Sequence, residues 1–296
     1  METPLEIIDS HTHVIAGDSA RYPLAPLGGH RSTWSEERPV DCQGLVDAID
    51  AAGVTRAVVV QASTVYGHDN RYVADSVTAH PDRFVGVFSV DVLAENGLAE
   101  TRRWLGRGLS GLRLFTTGTT MPGQATWLDD PRSFPVWEFA EAEAVPVCLQ
   151  MTADGIPMLR ALLRRFPKVR VLLDHLARPK LADGPPYEAA RSLFELAGHE
   201  GVFLKLTNRT LATAKEGAST PQRFVERVVR EFGAERIAWG SNFPAAEGSL
   251  ASLVREAREA LAALPEAQQR MIFAGTIRGL YPALARENPV REAAHA

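Results

Sequence analysis

The sequence predicts an α/β fold in which eight strands close into a single-domain (β/α)8 barrel. Eight short runs rich in β-branched residues recur along the chain, and segments of helical period separate them. The runs are apolar almost throughout, which is typical of parallel strands covered on both faces. Eight such units within 296 residues fit one closed barrel. An open doubly wound sheet is the alternative, disfavoured because no Gly-x-Gly-x-x-Gly turn follows the first strand.

The predicted strands, in chain order, are residues 5–9, 56–61, 84–90, 111–115, 145–150, 169–174, 202–206 and 236–239. Apolar residues at helical spacing lie between them, and before the sixth strand they are Met158, Leu159, Leu162, Leu163 and Phe166. No repeat, low-complexity tract or linker divides the chain, so we predict one domain over residues 1–296.

Two polar inserts interrupt the alternation of strand and helix. One covers residues 14–42 after the first strand, and the other covers residues 116–133 after the fourth. Both follow the carboxyl end of a strand, where barrels carry their active sites, so we expect them to act as lids or specificity loops. The tail at residues 287–296 is charged and rich in alanine, and we expect it to fray.

The composition excludes several classes of protein. With 45% hydrophobic and 23% charged residues, a net charge of −4 and a pI near 6.1, the chain has no basic surface for nucleic acid. Its longest apolar stretches, such as residues 57–60, are far shorter than the roughly 20 residues that cross a bilayer. No signal peptide is evident, so we expect a cytoplasmic protein. Cys42 and Cys148 fit no disulfide or metal spacing and are expected to be plain thiols.

The first chemical signal is a pair of histidines that follows the first predicted strand, within residues 9–13 (DSHTH). Side chains two positions apart in an extended segment point to the same side, so His11 and His13 should project together toward the barrel mouth. Two imidazoles in this arrangement are ready metal ligands. Two solvent-facing histidines without a function are the alternative.

A third histidine, His175, follows the sixth predicted strand within residues 174–179 (DHLARP). It should lie at the same face of the barrel as His11 and His13. Three imidazoles with an open position form a predicted site for a divalent metal, zinc or manganese, that would activate water or polarise a carbonyl.

Four segments together carry a resemblance to a known family: residues 9–13, 61–70, 174–179 and 239–244 (WGSNFP). They resemble the amidohydrolase-2 branch of the amidohydrolase superfamily, and most of all its lactonase group, over nearly the whole chain. The resemblance implies a barrel hydrolase that opens a lactone or similarly activated carbonyl ring. It matches His11, His13 and His175 to the family's histidines. Some members of this group work without a tightly bound metal, so the resemblance leaves both options open.

Asn242 departs from the family pattern, because it stands where the family usually has an aspartate that takes the proton from the attacking water. An amide cannot serve as a general base near neutral pH. Three explanations stay open: a subgroup with a shifted mechanism, an engineered variant whose parent had aspartate here, or a loss of activity. If Asn242 is natural, a metal-bound hydroxide or one of the histidines must act as the base.

Three arginines at strand ends indicate an anionic substrate. Arg113 lies on the fourth predicted strand, Arg178 follows His175 by three residues, and Arg209 follows the seventh strand. Guanidinium groups bind carboxylates through paired hydrogen bonds. By resemblance, Arg178 and Arg209 are similar to carboxylate-binding arginines of the lactonase group. Structural ion pairs are the alternative for all three.

Three further polar residues are candidate substrate contacts. Gln61 and Tyr66 lie at and just beyond the end of the second strand, and Gln150 ends the fifth. Each could reach the mouth of the barrel as a hydrogen-bonding group, although polar loop residues often only satisfy backbone groups.

The sequence therefore predicts a hydrolase that opens the ring of a small lactone or carboxylate substrate. One alternative is metal-dependent, non-oxidative decarboxylation of an aromatic or muconate-type acid, as in neighbouring branches of the family. The acidic residue expected directly after the histidine pair in those branches is absent here, since Val14 follows His13. The other alternative is a binding barrel that has lost its base at Asn242. Formation of a homo-oligomer is left open.

Overall fold

The computed structural model describes residues 4–117 and 123–285. Eight parallel strands form one sheet in sequence order: β1 (Ile8–Thr12), β2 (Arg56–Val60), β3 (Phe84–Ser89), β4 (Gly111–Phe115), β5 (Val147–Gln150), β6 (Val171–Asp174), β7 (Val202–Thr207) and β8 (Ile237–Gly240). Thr12 forms a parallel bridge with Phe243, whose carbonyl accepts a hydrogen bond from the His13 N–H at 2.9 Å. These contacts join the two ends of the sheet and confirm the predicted (β/α)8 barrel.

Helices follow the strands around the outside of the sheet. They are α1 (Thr33–Glu37), α2 (Cys42–Ala51), α3 (Ser63–Tyr66), α4 (Arg71–Ala79), α5 (Gly97–Gly106), α6 (Phe134–Ala142), α7 (Ile156–Arg165), α8 (Arg191–Phe194), α9 (Asn208–Thr213), α10 (Pro221–Phe232), α11 (Leu250–Leu261), α12 (Glu266–Arg270) and α13 (Thr276–Leu280). In α10 the Thr220 side chain accepts a hydrogen bond from the Arg223 N–H and Pro221 occupies the first turn, two signals that start a helix.

Apolar side chains seal the bottom of the barrel. One buried cluster joins Ile8, Val58, Val85 and Leu172 of the strands to Tyr281, just beyond α13. A side chain at Gly111 would come within 2.8 Å of the Tyr281 hydroxyl, so glycine is needed for this close approach. The functional groups of the barrel therefore lie toward the carboxyl ends of the strands.

The observed bounds of the strands differ from the predicted ones mainly at β1. The prediction ended this strand at residue 9, whereas β1 runs to Thr12 and its pairing with β2 shifts register between Asp9 and Thr12. The polar residues of β1 can be buried because Asp9 Oδ1 accepts hydrogen bonds from the N–H groups of His11 (3.0 Å) and Ser241 (2.9 Å). β5 and β6 begin two residues later than predicted, and the other bounds agree within one residue.

The insert at residues 14–42 contains a 3-10 turn (Leu27–Gly29) and α1. The insert at residues 116–133 is described except for residues 118–122, and the tail at residues 287–296 lies outside the described residues. In the described part of the chain, Cys42 and Cys148 are free thiols and no helix is long and apolar enough to span a membrane. The single domain over residues 1–296 and the cytoplasmic location stay predictions.

Candidate active site

A cleft opens at the carboxyl ends of the strands. Seven of the ten residues predicted for the site line it: His13, Arg113, Gln150, His175, Arg178, Arg209 and Asn242. The sequence did not single out the other lining residues, which are Trp34, Ala62, Thr64, Phe115 and Ala245. The barrel thus brings side chains from distant parts of the sequence to one concave site, as the fold predicts.

The three histidines form a cluster at the floor of this cleft. The ring centroid of His11 lies 4.9 Å from that of His13 and 5.1 Å from that of His175. His11 is fully buried and does not line the cleft. Inward-facing residues of a barrel strand lie at successive depths, so His11 lies one layer below His13, which faces the cleft.

Hydrogen bonds orient two of the imidazole rings. His13 Nδ1 lies 2.8 Å from the Val60 carbonyl oxygen, which can only accept, so Nδ1 carries the proton of the neutral ring and Nε2 carries the lone pair. His175 Nδ1 lies 2.7 Å from Thr207 Oγ1. Burial lowers the pKa of His11 to about 4 and holds the pKa values of His13 and His175 well below 6.5. All three rings are therefore neutral at pH 7.

A left-handed turn follows β6. His175, Leu176, Ala177 and Arg178 all have φ between 53° and 56°, and the Arg178 N–H donates to the His175 carbonyl at 2.9 Å. This backbone conformation costs roughly 1–2 kcal/mol for each non-glycine residue. Such strain is found where a site needs its side chains in a fixed place. Here the turn brings both His175 and Arg178 to the wall of the cleft.

Asn242 also has a left-handed backbone, with φ of 61°, and its N–H donates to the His11 carbonyl at 2.9 Å. Asparagine and aspartate tolerate this conformation better than most residues. The backbone therefore explains a short polar side chain at position 242, although it does not distinguish the amide from the carboxylate.

Two arginines of the cleft carry uncompensated charge. Within the described residues, neither Arg178 nor Arg209 forms an ion pair, and the buried Nε of Arg178 has no hydrogen-bond partner. Burial, with added repulsion from Arg209 and Arg113, lowers the pKa of Arg178 to about 10, so it stays charged at neutral pH. An unpaired cation in a partly buried place favours an anionic ligand.

Arg113 differs from these two arginines because it is paired within the protein. Its Nε lies 3.2 Å from Asp174 Oδ2, and its Nη1 donates to the Gln61 carbonyl at 2.8 Å. The structural ion pair that was the alternative for Arg113 is therefore present, although the side chain still lines the cleft.

Beneath the cleft lies a buried charged layer around Lys205 and Asp174, neither of which was predicted to be functional. The Lys205 ammonium is 3.1 Å from Asp174 Oδ1, 3.2 Å from Cys148 Sγ and 3.4 Å from His11 Nδ1. Burial opposes ionisation of Asp174, but the positive charges of Lys205 and Arg113 hold the pKa of this carboxyl well below its usual value. The available signal was a single lysine in β7, whose other residues up to Leu206 are apolar.

Gln61 and Tyr66 were predicted to reach the cleft, but neither side chain lines it. Gln61 is fully buried, and its Nε2 donates to the carbonyls of Gly67 (3.1 Å) and Asp69 (2.9 Å). The Tyr66 hydroxyl accepts a hydrogen bond from the Ala16 N–H at 2.8 Å. Both side chains hold loop backbone in place, because a buried backbone group needs a partner.

The predicted metal site at His11, His13 and His175 does not fit this arrangement. Between residues 4–117 and 123–285, no group of three or more His, Cys, Asp or Glu side chains is placed to hold a metal ion. The rings are close to one another, but His11 Nδ1 faces the ammonium of Lys205, and Arg113 adds a second buried cation beside Asp174. A divalent cation would be repelled by these charges.

Comparisons with known proteins agree with this architecture. The sequence profile of the amidohydrolase family matches residues 8–283. The L-fucono-1,5-lactonase of Burkholderia ambifaria is 28% identical over 246 residues, which make up 80% of each chain. The family match includes the segments that carry His11, His13 and His175.

Two solved structures share the fold. A proposed 2-pyrone-4,6-dicarboxylic acid hydrolase of Pseudomonas putida has a TM-score of 0.75 at 23% identity, over 95% of this chain and 99% of the other. An amidohydrolase of Burkholderia multivorans with bound zinc has a TM-score of 0.74 at 20% identity, over 94% and 99%. At these identities the likeness concerns the fold.

Proposed function

The chain belongs to the amidohydrolase family, and from this premise we propose that it is a hydrolase that opens the ring of a small lactone by attack of water on the ring ester. The observation that carries the proposal is the cleft itself: His13 and His175 lie beside two arginines that have no acidic partner in the described structure. The similarity to a lactonase over 80% of the chain supports the same reaction.

The substrate class follows from the charge of the cleft. Arg178 and Arg209 offer guanidinium groups to a carboxylate, either one already present on the lactone or the one that ring opening creates. Gln150 lines the same cleft and can hydrogen-bond a hydroxyl or carbonyl of the ring. We therefore propose a small, oxygen-rich lactone that carries or generates a carboxylate.

We assign the role of base to His13, because Asn242 cannot accept a proton. The lone pair of His13 Nε2 takes a proton from water while the water oxygen bonds to the lactone carbonyl carbon. The bond to the ring oxygen then breaks, and the imidazolium returns its proton to that oxygen. Arg178 stabilises the negative oxygen of the tetrahedral intermediate. The low pKa of His13 keeps it neutral and able to accept, although it makes His13 a weak base.

Metal dependence is the part of the sequence prediction that this proposal modifies. Zinc is bound by the Burkholderia multivorans relative, and zinc or manganese at His11, His13 and His175 was predicted here. We propose that this chain works through its side chains, because Lys205 and Arg113 supply the buried positive charge. Metal analysis of the purified protein tests this point. Loss of turnover on chelation, restored by zinc, would contradict it.

The function is tested with a panel of small lactones, including sugar-acid lactones and a pyrone dicarboxylate. Ring opening releases one new acid group and no gas, whereas the decarboxylase alternative releases CO2. We expect His13→Ala and His175→Ala each to lower kcat/KM by about 100-fold or more, as removal of a general base or its neighbour does. His199→Ala, a histidine outside the cleft, serves as the matched control. Binding without any turnover would instead support the impaired barrel.

A further inference from the structure

One charged group in the barrel lies outside the cleft in which the proposed reaction takes place. Lys205 is fully buried on β7, and lysine is almost never buried in this way unless it is paired. Its ammonium lies within 3.4 Å of groups from three other strands: Asp174 on β6, Cys148 on β5 and His11 on β1. Its place directly against His11 suggests that it acts on the histidine cluster.

The oxygens of Asp174 are already engaged by cations. Lys205 Nζ lies 3.1 Å from Oδ1, and Arg113 Nε lies 3.2 Å from Oδ2. Asp174 Oδ1 accepts no hydrogen bond in the described structure, so its contact with Lys205 is an ion pair, and His11 Nδ1 lies farther from it at 3.5 Å. In this geometry the aspartate holds Lys205 and does not accept the proton of His11.

The hydrogen bond between Lys205 and His11 has only one direction. An ammonium group donates and never accepts, so His11 Nδ1 must be the acceptor at 3.4 Å. A neutral imidazole that accepts at Nδ1 carries its proton on Nε2. The contact with Lys205 therefore selects one of the two tautomers of the ring.

We propose that Lys205 is a positioning residue that fixes His11 with its proton on Nε2, so that the histidine cluster presents a hydrogen-bond donor to a ligand oxygen. His11 Nε2 is buried and has no hydrogen-bond partner among the described residues, and the rings of His13 and His175 lie beside it. A buried N–H needs an acceptor. The acceptor we assign is the carbonyl oxygen or carboxylate of the ligand, an assignment that rests on the proposed function.

The same tautomer explains why the cluster is a poor metal site. A nitrogen that carries a proton has no lone pair for a metal, and the Nδ1 lone pair faces Lys205. Lys205 and Arg113 surround the carboxylate of Asp174 with positive charge, so the surroundings of His11 favour an anion over a metal cation. This differs from a three-histidine ligand set, in which every ring offers a free nitrogen to the cation.

The tautomer is measured on the free protein by NMR of ¹⁵N-labelled histidine, with the His11 signals identified by their loss in His11→Gln. We expect a protonated Nε2 and an unprotonated Nδ1 in the native protein. In K205M the donor is gone and Asp174 Oδ1 is released, so the proton should move to Nδ1. K205Q keeps a side-chain N–H donor and should retain the native tautomer.

Zinc binding gives a second readout that does not depend on turnover. Calorimetry with zinc alone should show at least about 10-fold tighter binding to K205M than to the native protein, and the double variant H11A/K205M should lose this gain. A native His11 protonated at Nδ1, or a tautomer unchanged in K205M, would overturn the proposal. If K205M does not fold, the native tautomer decides alone. Because no lactone is present, the result is independent of whether lactones are substrates.

Discussion

The indole ring of Trp34 stacks on the imidazole ring of His13, with centroids 5.4 Å apart and planes inclined by 26°. Trp34 belongs to α1, inside the insert that follows β1, so the insert reaches the histidine that we propose as the base. The insert therefore forms part of the cleft wall, and its effect on specificity stays a prediction. It also makes Trp34 an aromatic platform at the cleft, against which the face of a ligand ring can pack.

Replacement of Trp34 should affect binding more than chemistry. We expect W34A to raise KM for the best lactone about 10-fold, since an aromatic contact contributes about 0.5–1.5 kcal/mol beyond its buried area. W34F keeps a ring and should recover most of the affinity. Steady-state kinetics of the three proteins provide the measurement. A fall in kcat at constant KM would show that Trp34 acts on His13 rather than on the ligand.

The unpaired arginines should account for the affinity for anions. We expect R178M and R209M each to weaken binding of the ring-opened carboxylate by about 1.5–3 kcal/mol, the usual contribution of a hydrogen bond to a charged group. Arg209 is exposed, so R209M should lose less binding free energy than R178M, and its loss should depend more strongly on the salt concentration. Isothermal calorimetry in low and moderate salt measures both. R191M, on α8 outside the cleft, is the control, and equal losses in it would point to a general effect of charge.

Asn242→Asp tests the assignment of His13 as the base. If His13 takes the proton, a carboxylate at position 242 should change kcat by less than about threefold. The left-handed backbone at this position accepts aspartate as well as asparagine, so the variant should fold normally. Turnover and thermal unfolding are measured on the same preparation. An acceleration of 100-fold or more would mean that the base belongs at position 242 and that the native chain lacks it.

The buried histidines should make the protein sensitive to acid. The pKa of His11 is lowered from 6.5 to about 4, so between these values the unfolded chain binds a proton that the folded protein refuses. The free energy of unfolding is therefore highest above pH 6.5 and decreases as the pH falls toward 4. For His11 alone the decrease is about 3 kcal/mol. His13 and His175 act in the same direction.

One buried carboxyl opposes this trend. Burial raises the pKa of Asp9 from 3.8 to about 6, so the folded protein takes up a proton there as pH falls. Because three buried imidazoles act against this one carboxyl, the free energy of unfolding still decreases as the pH falls. Urea unfolding at pH 7.5, 6 and 5 should show a falling free energy of unfolding, and His11→Gln should flatten the slope while His199→Gln leaves it unchanged. A constant or rising stability would contradict the burial of neutral rings.

The sequence was sufficient for the barrel and for most residues of the cleft, because apolar runs and the positions of strand ends depend on local pattern. It placed His13, His175 and Arg178 correctly at the mouth. It did not show that His11 lies beneath the cleft, since alternation gives the side of the strand that a residue faces and not its depth in the barrel. The fates of Gln61 and Tyr66 depend on which loop carbonyls and N–H groups lack partners, and that is known only when the loops are folded. Lys205 was missed because one charge in a strand shows neither which way it faces nor what it pairs with.

The left-handed turn from His175 to Arg178 bears on the order in which the protein assembles. Four consecutive residues in an unfavourable conformation do not hold it on their own, so the turn is stable only when the packed barrel encloses it. Leu176 and Ala177, both fully buried, supply that packing. We therefore expect the segment to order late in folding and to loosen early on heating. A preparation can then retain its native strand content after this wall of the cleft has come apart.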